Sequence, residues 1–224
     1  MLSLRLYKST GIYDFFIKSL GYERSIDRFL SELAVDVEGP LRILDSGCGT
    51  GLMGLHFLSR FPEAKLVATD LEPNCLRTTL SNARSRNLDR NRIQTGIADI
   101  SHPSQITLAD GSAMELQKSS FHLICLGAVV GYSSCTETSL RELISLLAPG
   151  GVLINLEMNE SPSGRFFSKR YHYSNITLSR MEQLFQDEGC KVLLRRFQIR
   201  HLPAKLTRVA LIAQRAADGV HSSI

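Results

Sequence analysis

Residues 41–54 read LRILDSGCGTGLMG. A short apolar run from Leu41 to Asp45 gives way to Gly47-Cys48-Gly49-Thr50-Gly51, and an apolar, helix-like segment follows at once. Glycines in such a turn adopt backbone angles closed to other residues and let main-chain N–H groups approach a ligand with no side chain between. In an open sheet with crossover helices, ligands sit beyond the carboxyl ends of the strands. A ligand is therefore expected against this turn.

Working outward, the strand KLVATD ends at Asp70, and a helix starts near Pro73 with Leu76, Leu80 and Ala83 on one face. A third strand runs over 92–98, a fourth is FHLICLG (121–127), and a helix over 137–147 stops at the breaker Pro149-Gly150-Gly151. The strand VLINLE, a helix over 177–188 closing on Gly189, and two strands over 191–200 and 206–214 complete the pattern, the last two paired as a hairpin with a short connection at Pro203. This alternation predicts an α/β domain over 41–216, a doubly wound, mostly parallel seven-stranded sheet with an antiparallel final strand. Residues 99–119 and 159–176 read as a long loop and an irregular aromatic stretch. Residues 1–40 read as an N-terminal helical cap, helical over 12–34, in which Tyr13, Phe15, Phe16 and Tyr22 form either a lid or simple packing. Residues 217–224 read as a frayed tail.

The chain of 224 residues is 43% hydrophobic and 21% charged, the balance of a soluble globular domain. Its 26 basic and 22 acidic residues leave a net charge of +4, too small an excess to argue for nucleic acid, though it leaves that partner open. The five cysteines contain no C-x-x-C pair, so neither a metal site nor a disulfide framework is expected. With no signal-peptide core in MLSLRLYKST and no apolar run long enough to span a membrane, a cytoplasmic protein is expected. Oligomeric state is not legible.

Gly49 to Gly54 literally matches G-x-G-x-x-G, which admits an NAD(P)-dependent oxidoreductase. Asp45 argues against it. A carboxylate two residues before Gly47 would face a pyrophosphate at close range, whereas it can orient the ammonium end of an amino-acid-like ligand. Asp70 stands where a carboxylate can accept two hydrogen bonds from a ribose diol, or it can serve as a helix N-terminal acid ahead of Pro73.

The L-D-x-G-C-G-T-G turn, the T-D ending the second strand and the run LAPGGVLI together resemble the class I methyltransferases that use S-adenosyl-L-methionine (SAM), a Rossmann-like family. The resemblance covers about Leu41 to Ala213. It implies that Asp45, Gly47, Cys48, Gly49 and Gly51 line the methionine and sugar of SAM, and that Asp70 holds the ribose with Leu71 beside it. It further implies Asp99 at the adenine amine, with Asp110 as the alternative, Ile100 or Ala98 flanking the ring, and Gly127 at the start of a transfer-site floor running to Tyr132.

Methyl transfer needs alignment more than a dedicated base. The stretch GAVVGY (127–132) lacks the Asn/Asp-Pro-Pro-Tyr/Phe signature of family members that modify amide or adenine nitrogens. The resemblance implies acceptor-facing groups among Tyr132, Glu157, Tyr171, His172 and Tyr173. Tyr132 and His172 are the candidate catalytic pair; His172 reads equally as a solvated loop histidine. Arg195, Arg196, Arg200, Lys205 and Arg208 make the last hairpin basic, as a charge-guarded edge or as a site for an anionic acceptor, a lipid headgroup or RNA. The expected function is methyl transfer to a small-molecule or lipid-like acceptor. A SAM-binding partner subunit without activity of its own is the alternative.

Overall fold

The computed structural model describes residues 21–35, 41–174 and 176–217. Nine strands form one sheet: β1 (Arg42–Ser46), β2 (Lys65–Asp70), β3 (Ile93–Ile97), β4 (Gln105–Leu108), β5 (Ala113–Glu115), β6 (Phe121–Leu126), β7 (Leu147–Met158), β8 (Cys190–Arg196) and β9 (Arg208–Arg215). Six α-helices are described: α1 (Tyr22–Ser31), α2 (Leu52–Arg60), α3 (Pro73–Ser85), α4 (Thr136–Leu146), α5 (Pro162–Arg170) and α6 (Leu178–Asp187). The strand order is β5-β4-β3-β2-β1-β6-β7-β9-β8. The run from β3 to β7 is parallel, and β9 is antiparallel to β7 and to β8.

The central strands β1, β2, β6, β7 and β9 are buried on both faces, which is why they read as continuous apolar runs rather than alternating ones. Successive side chains still point to opposite sides. Ile43, Leu123 and Ile154 pack with residues of α1, α2 and α3, while Leu44, Ile124 and Leu153 pack with α4 and α6. The chain leaves β1 toward β2 on one side, and β6 takes up the other side of β1. The switch point of the sheet therefore falls between β1 and β6, at whose carboxyl edge open sheets of this kind take their ligands.

The sheet has nine strands rather than the expected seven. The extra pair, β4 and β5, lies within 99–119, where β4 turns back antiparallel along β3 with Gly96 opposite Leu108. Strands of four and three residues carry too little alternation to stand out from a loop. The stretch 159–176, expected to be irregular, contains α5. Its start carries ordinary signals, Pro162 in the first turn and the Ser161 side chain accepting from Gly164 N–H. The connection between β8 and β9 spans 197–207 and is not short. It holds two single helical turns, at Ile199–His201 and Ala204–Leu206. β7 begins at Leu147 and passes through Pro149-Gly150-Gly151, where its register against β6 shifts.

α1 shares the main core. Ile26, Phe29, Leu30 and Leu33 are buried with Leu55 and Phe57, and Phe29 stacks on Phe197 with ring centroids 3.9 Å apart. The expectations for 12–20, including Tyr13, Phe15 and Phe16, and for the tail beyond 217 fall outside the described residues. Among the described residues, no helix is long and apolar enough to cross a membrane.

Candidate functional site

The turn between β1 and α2 uses left-handed backbone at Gly47 (φ 67°), Gly49 (φ 54°) and Gly51 (φ 78°). Each conformation is costly for a residue with a Cβ. A Cβ at Gly47 would collide with Val129, and one at Gly51 would stand 2.7 Å from Thr79 Cγ2. One at Gly49 would meet nothing within 4 Å. The middle glycine thus faces open space, whereas the outer two are wedged against their neighbours. Cys48 points inward, with its amide N–H donating to Thr69 O (2.8 Å) and burial holding its thiol pKa well above the ordinary range.

Asp70 joins this turn to the end of β2. Its Oδ2 accepts from Gly49 N–H at 2.8 Å and its Oδ1 from Glu72 N–H at 2.9 Å. Only 5% of the residue is exposed. Burial raises its pKa against the pull of those two donors. The Cys75 side chain is a third hydrogen-bond partner of this carboxylate; with about four acceptor positions, Asp70 keeps capacity for a further donor. Leu71, immediately after it, is exposed.

Two residues that sequence reasoning passed over tie the turn down from α3. Thr79 Oγ1 donates to Gly49 O (3.1 Å), and Asn82 Nδ2 donates to Thr50 O (2.9 Å). Their only signal is polarity beside the apolar positions Leu76, Leu80 and Ala83 of an otherwise amphipathic helix.

Asp45 sits beneath the turn. It is 2% exposed, and its Oδ2 accepts from Gly54 N–H (2.9 Å), so it braces the first turn of α2. Burial foremost, together with the nearby charge of Asp70, pushes its pKa up to about 7 against the Gly54 hydrogen bond.

At the neighbouring strand, Asp99 follows β3 directly, exposed, with Oδ1 accepting from Ser101 N–H. It lines a cavity of about 600 Å³ with Ala98 and residues of the β4–β5 hairpin. Ile100 is buried behind it. Asp110 accepts from Ser112 in the β4–β5 turn. Because β4 runs opposite to β3, this turn lies at the other end of the sheet, away from the glycines. A groove of about 710 Å³ between α1 and α2 includes Asp27, His56 and Arg60 in its lining, and none of the expected cofactor residues.

On the other side of the switch point, the loop after β6 begins at the exposed Gly127 and reaches Tyr132, which is 45% exposed. The Tyr132 ring meets Tyr173 edge-on, with centroids 5.2 Å apart, and Ser174 N–H donates to Gly131 O (3.0 Å). The structure therefore brings the loop carrying Tyr132 and the loop carrying His172 together. His172 is exposed at φ 53°. Glu157 and Tyr173, expected to face the acceptor, are instead buried and bonded to each other. Glu157 Oε2 accepts from Tyr173 O–H (2.9 Å), while Oε1 accepts from Met158 N–H (2.8 Å). Burial drives both pKa values up.

Residues 44–153 match the family model described as a methyltransferase domain. The chain is 29% identical over 148 residues to the demethylmenaquinone methyltransferase of Thermus thermophilus, covering 66% of this chain and 60% of that protein. It is 30% identical over 159 residues to a ubiquinone/menaquinone biosynthesis C-methyltransferase of Pseudomonas putida, covering 69% and 56%. It thus spans little more than half the length of these curated relatives. Among solved structures it resembles an N-methyltransferase of Haemonchus contortus bound to phosphomonomethylethanolamine and S-adenosylhomocysteine. The TM-score is 0.63 at 13% identity, covering 85% of this chain and 52% of that one.

Proposed function

The chain belongs to the class I SAM-dependent methyltransferase family, and from that premise we propose that it binds SAM over the Gly47–Gly51 turn and methylates a small-molecule or lipid-like acceptor. The observation that carries this reading is the Asp70 carboxylate, held against Gly49 with acceptor capacity to spare. The residues suit the cofactor. Gly49 offers unobstructed main chain, Asp70 is placed for a diol, and the exposed Leu71 and Asp99 stand at the ends of the two strands beyond it.

A bound SAM supplies a methyl group carried on a sulfonium, open to in-line displacement. Asp70 holds the sugar by charge-assisted hydrogen bonds, each contributing about 1.5–3 kcal/mol. Gly127 and Tyr132 bound the transfer side, where positioning an acceptor can supply about 7–11 kcal/mol of the rate enhancement. His172 stands on the adjoining loop, available to take a proton from an acceptor that must lose one. Five cysteines without a disulfide support a reducing cytoplasm as the compartment.

SAM at a hundred times its dissociation constant should stabilise the native protein by about 2.7 kcal/mol, read as a rise in Tm, while NADH leaves it unchanged. Labelled SAM supplied with a metabolite extract should then label an acceptor; transfer to none would favour a binding-only role. Asp70→Ala should weaken SAM binding at least about tenfold, near 1.4 kcal/mol, by titration calorimetry. Unchanged affinity in that variant would remove Asp70 from the site and take the principal support of this reading with it.

A further inference from the structure

Acidic residues are missing from a large part of this chain. Residues 161–181 and 189–217 contain no Asp or Glu, so all 22 acids lie elsewhere, yet these two stretches hold eleven of the 26 Lys and Arg. The fold gathers much of that charge at one place. β9 starts beside the end of β7, with Arg208 opposite Met158, so the 197–207 connection lies at the carboxyl edge of the sheet, next to α5. The two are bonded together. Ser161 Oγ donates to Leu206 O (3.1 Å), and Asn159 Nδ2 donates to Lys205 O (3.2 Å).

The surface there is apolar as well as basic. Phe166 on α5 is 64% exposed, and Leu202 and Leu206, on either side of Lys205, are 48% and 53% exposed. Lys169 and Arg170 follow Phe166 at the three- and four-residue spacing that puts helix positions on one face. Neither of them, nor Lys205, is paired with a carboxylate among the described residues.

We propose that the α5 face and the 202–206 turn dock on an anionic lipid bilayer, with Phe166, Leu202 and Leu206 entering the headgroup boundary and Lys169, Arg170 and Lys205 meeting the lipid charge. Apolar side chains set among cations are the composition of an interfacial helix. Two of the three exposed apolar side chains are leucines, which insert among acyl chains but present no ring for a base to stack on, and this favours lipid over RNA as the anionic partner. The surface lies on the same edge as Tyr132 and His172, so docking would set the acceptor side of the molecule against the membrane. The inference rests on charge and exposure alone and stands apart from the methyl-transfer reading.

The test is flotation of the purified protein with vesicles of phosphatidylcholine alone, or of phosphatidylcholine with about 30% phosphatidylglycerol. The protein should float with the anionic vesicles and be released by salt. Each cation near such a surface contributes about fivefold in affinity, so Lys169→Glu/Arg170→Glu should bind at least about thirtyfold more weakly. Phe166→Ser/Leu206→Ser should weaken binding to anionic vesicles even at low salt. Circular dichroism and the response to SAM should match wild type in both variants, which separates this proposal from the catalytic one. Equal partitioning onto neutral and anionic vesicles, wild-type binding by the charge-reversed variant, or retention by RNA with no vesicle binding would each overturn it.

Discussion

Gly47→Ala should destabilise the fold by about 2–5 kcal/mol, combining about 1–2 kcal/mol for a Cβ on left-handed backbone with about 1–3 kcal/mol for overpacking. The added methyl would drive into Val129, standing 2.8 Å from its Cβ. Gly47 follows β1 and Val129 follows β6, so the collision falls where the glycine turn meets the loop after β6. In a Val129→Ala background the γ-methyl collisions vanish while the contact with the remaining Cβ and the backbone strain persist, so the same Gly47 change should cost about 1 kcal/mol less than in the wild-type background. Urea unfolding of the four proteins reads the coupling directly. An equal cost of Gly47→Ala in both backgrounds would mean that the two loops are not in contact.

The second large effect is on pH dependence, and it belongs to Asp45. The folded protein holds the Asp45 proton up to about pH 7, whereas an unfolded chain releases it near pH 4. Between those values the native state binds more protons. The contribution is therefore fully present below about pH 4, lost as pH rises through about 7, and level beyond. A shift of about three units corresponds to about 4 kcal/mol. Asp45→Asn keeps an acceptor for Gly54 N–H and carries no charge to desolvate, so this dependence should disappear. Its amide brings an offset of its own, but one that does not vary with pH. The quantity to follow is thus the difference between variant and wild type across about pH 4 to 8, in which the contribution of Glu157 largely cancels and what remains belongs to Asp45 together with Asp70, whose charge is coupled to it. That difference should move in the variant's favour as pH rises, and parallel profiles would show that Asp45 titrates normally.

The centre of the fold was legible because its signals are local. A strand running into Gly47-Cys48-Gly49-Thr50-Gly51 and an acid ending the next strand need no knowledge of distant contacts; the bond between Asp70 and Gly49 is an addition that the pattern did not announce. What could not be read depends on direction and partnership across the chain. Asp99 and Asp110 differ only through the reversal at β4, made by a strand too short to announce itself. Glu157 stands next to the last residue of β7, just as a ligand-facing acid would, yet Tyr173, beyond the whole of α5, occupies it. Thr79 and Asn82 act on backbone carbonyls about thirty residues away, which helical periodicity does not reveal. α5 was hidden by its aromatic and basic composition, although Ser161 and Pro162 marked its start.

Both oxygens of Asp70 are anchored by main-chain amides, one from the turn after β1 and one from its own loop after β2. Its rotamer is therefore settled when the chain folds rather than when a nucleoside arrives, and none of that side chain's freedom is left to lose on association. In the binding proposed above, the ordering demanded at the sugar would fall on the incoming SAM, whose flexible methionine arm would have to be straightened over the glycines. Rigid nucleosides that carry the same diol gain from this receptor what floppier ones forfeit.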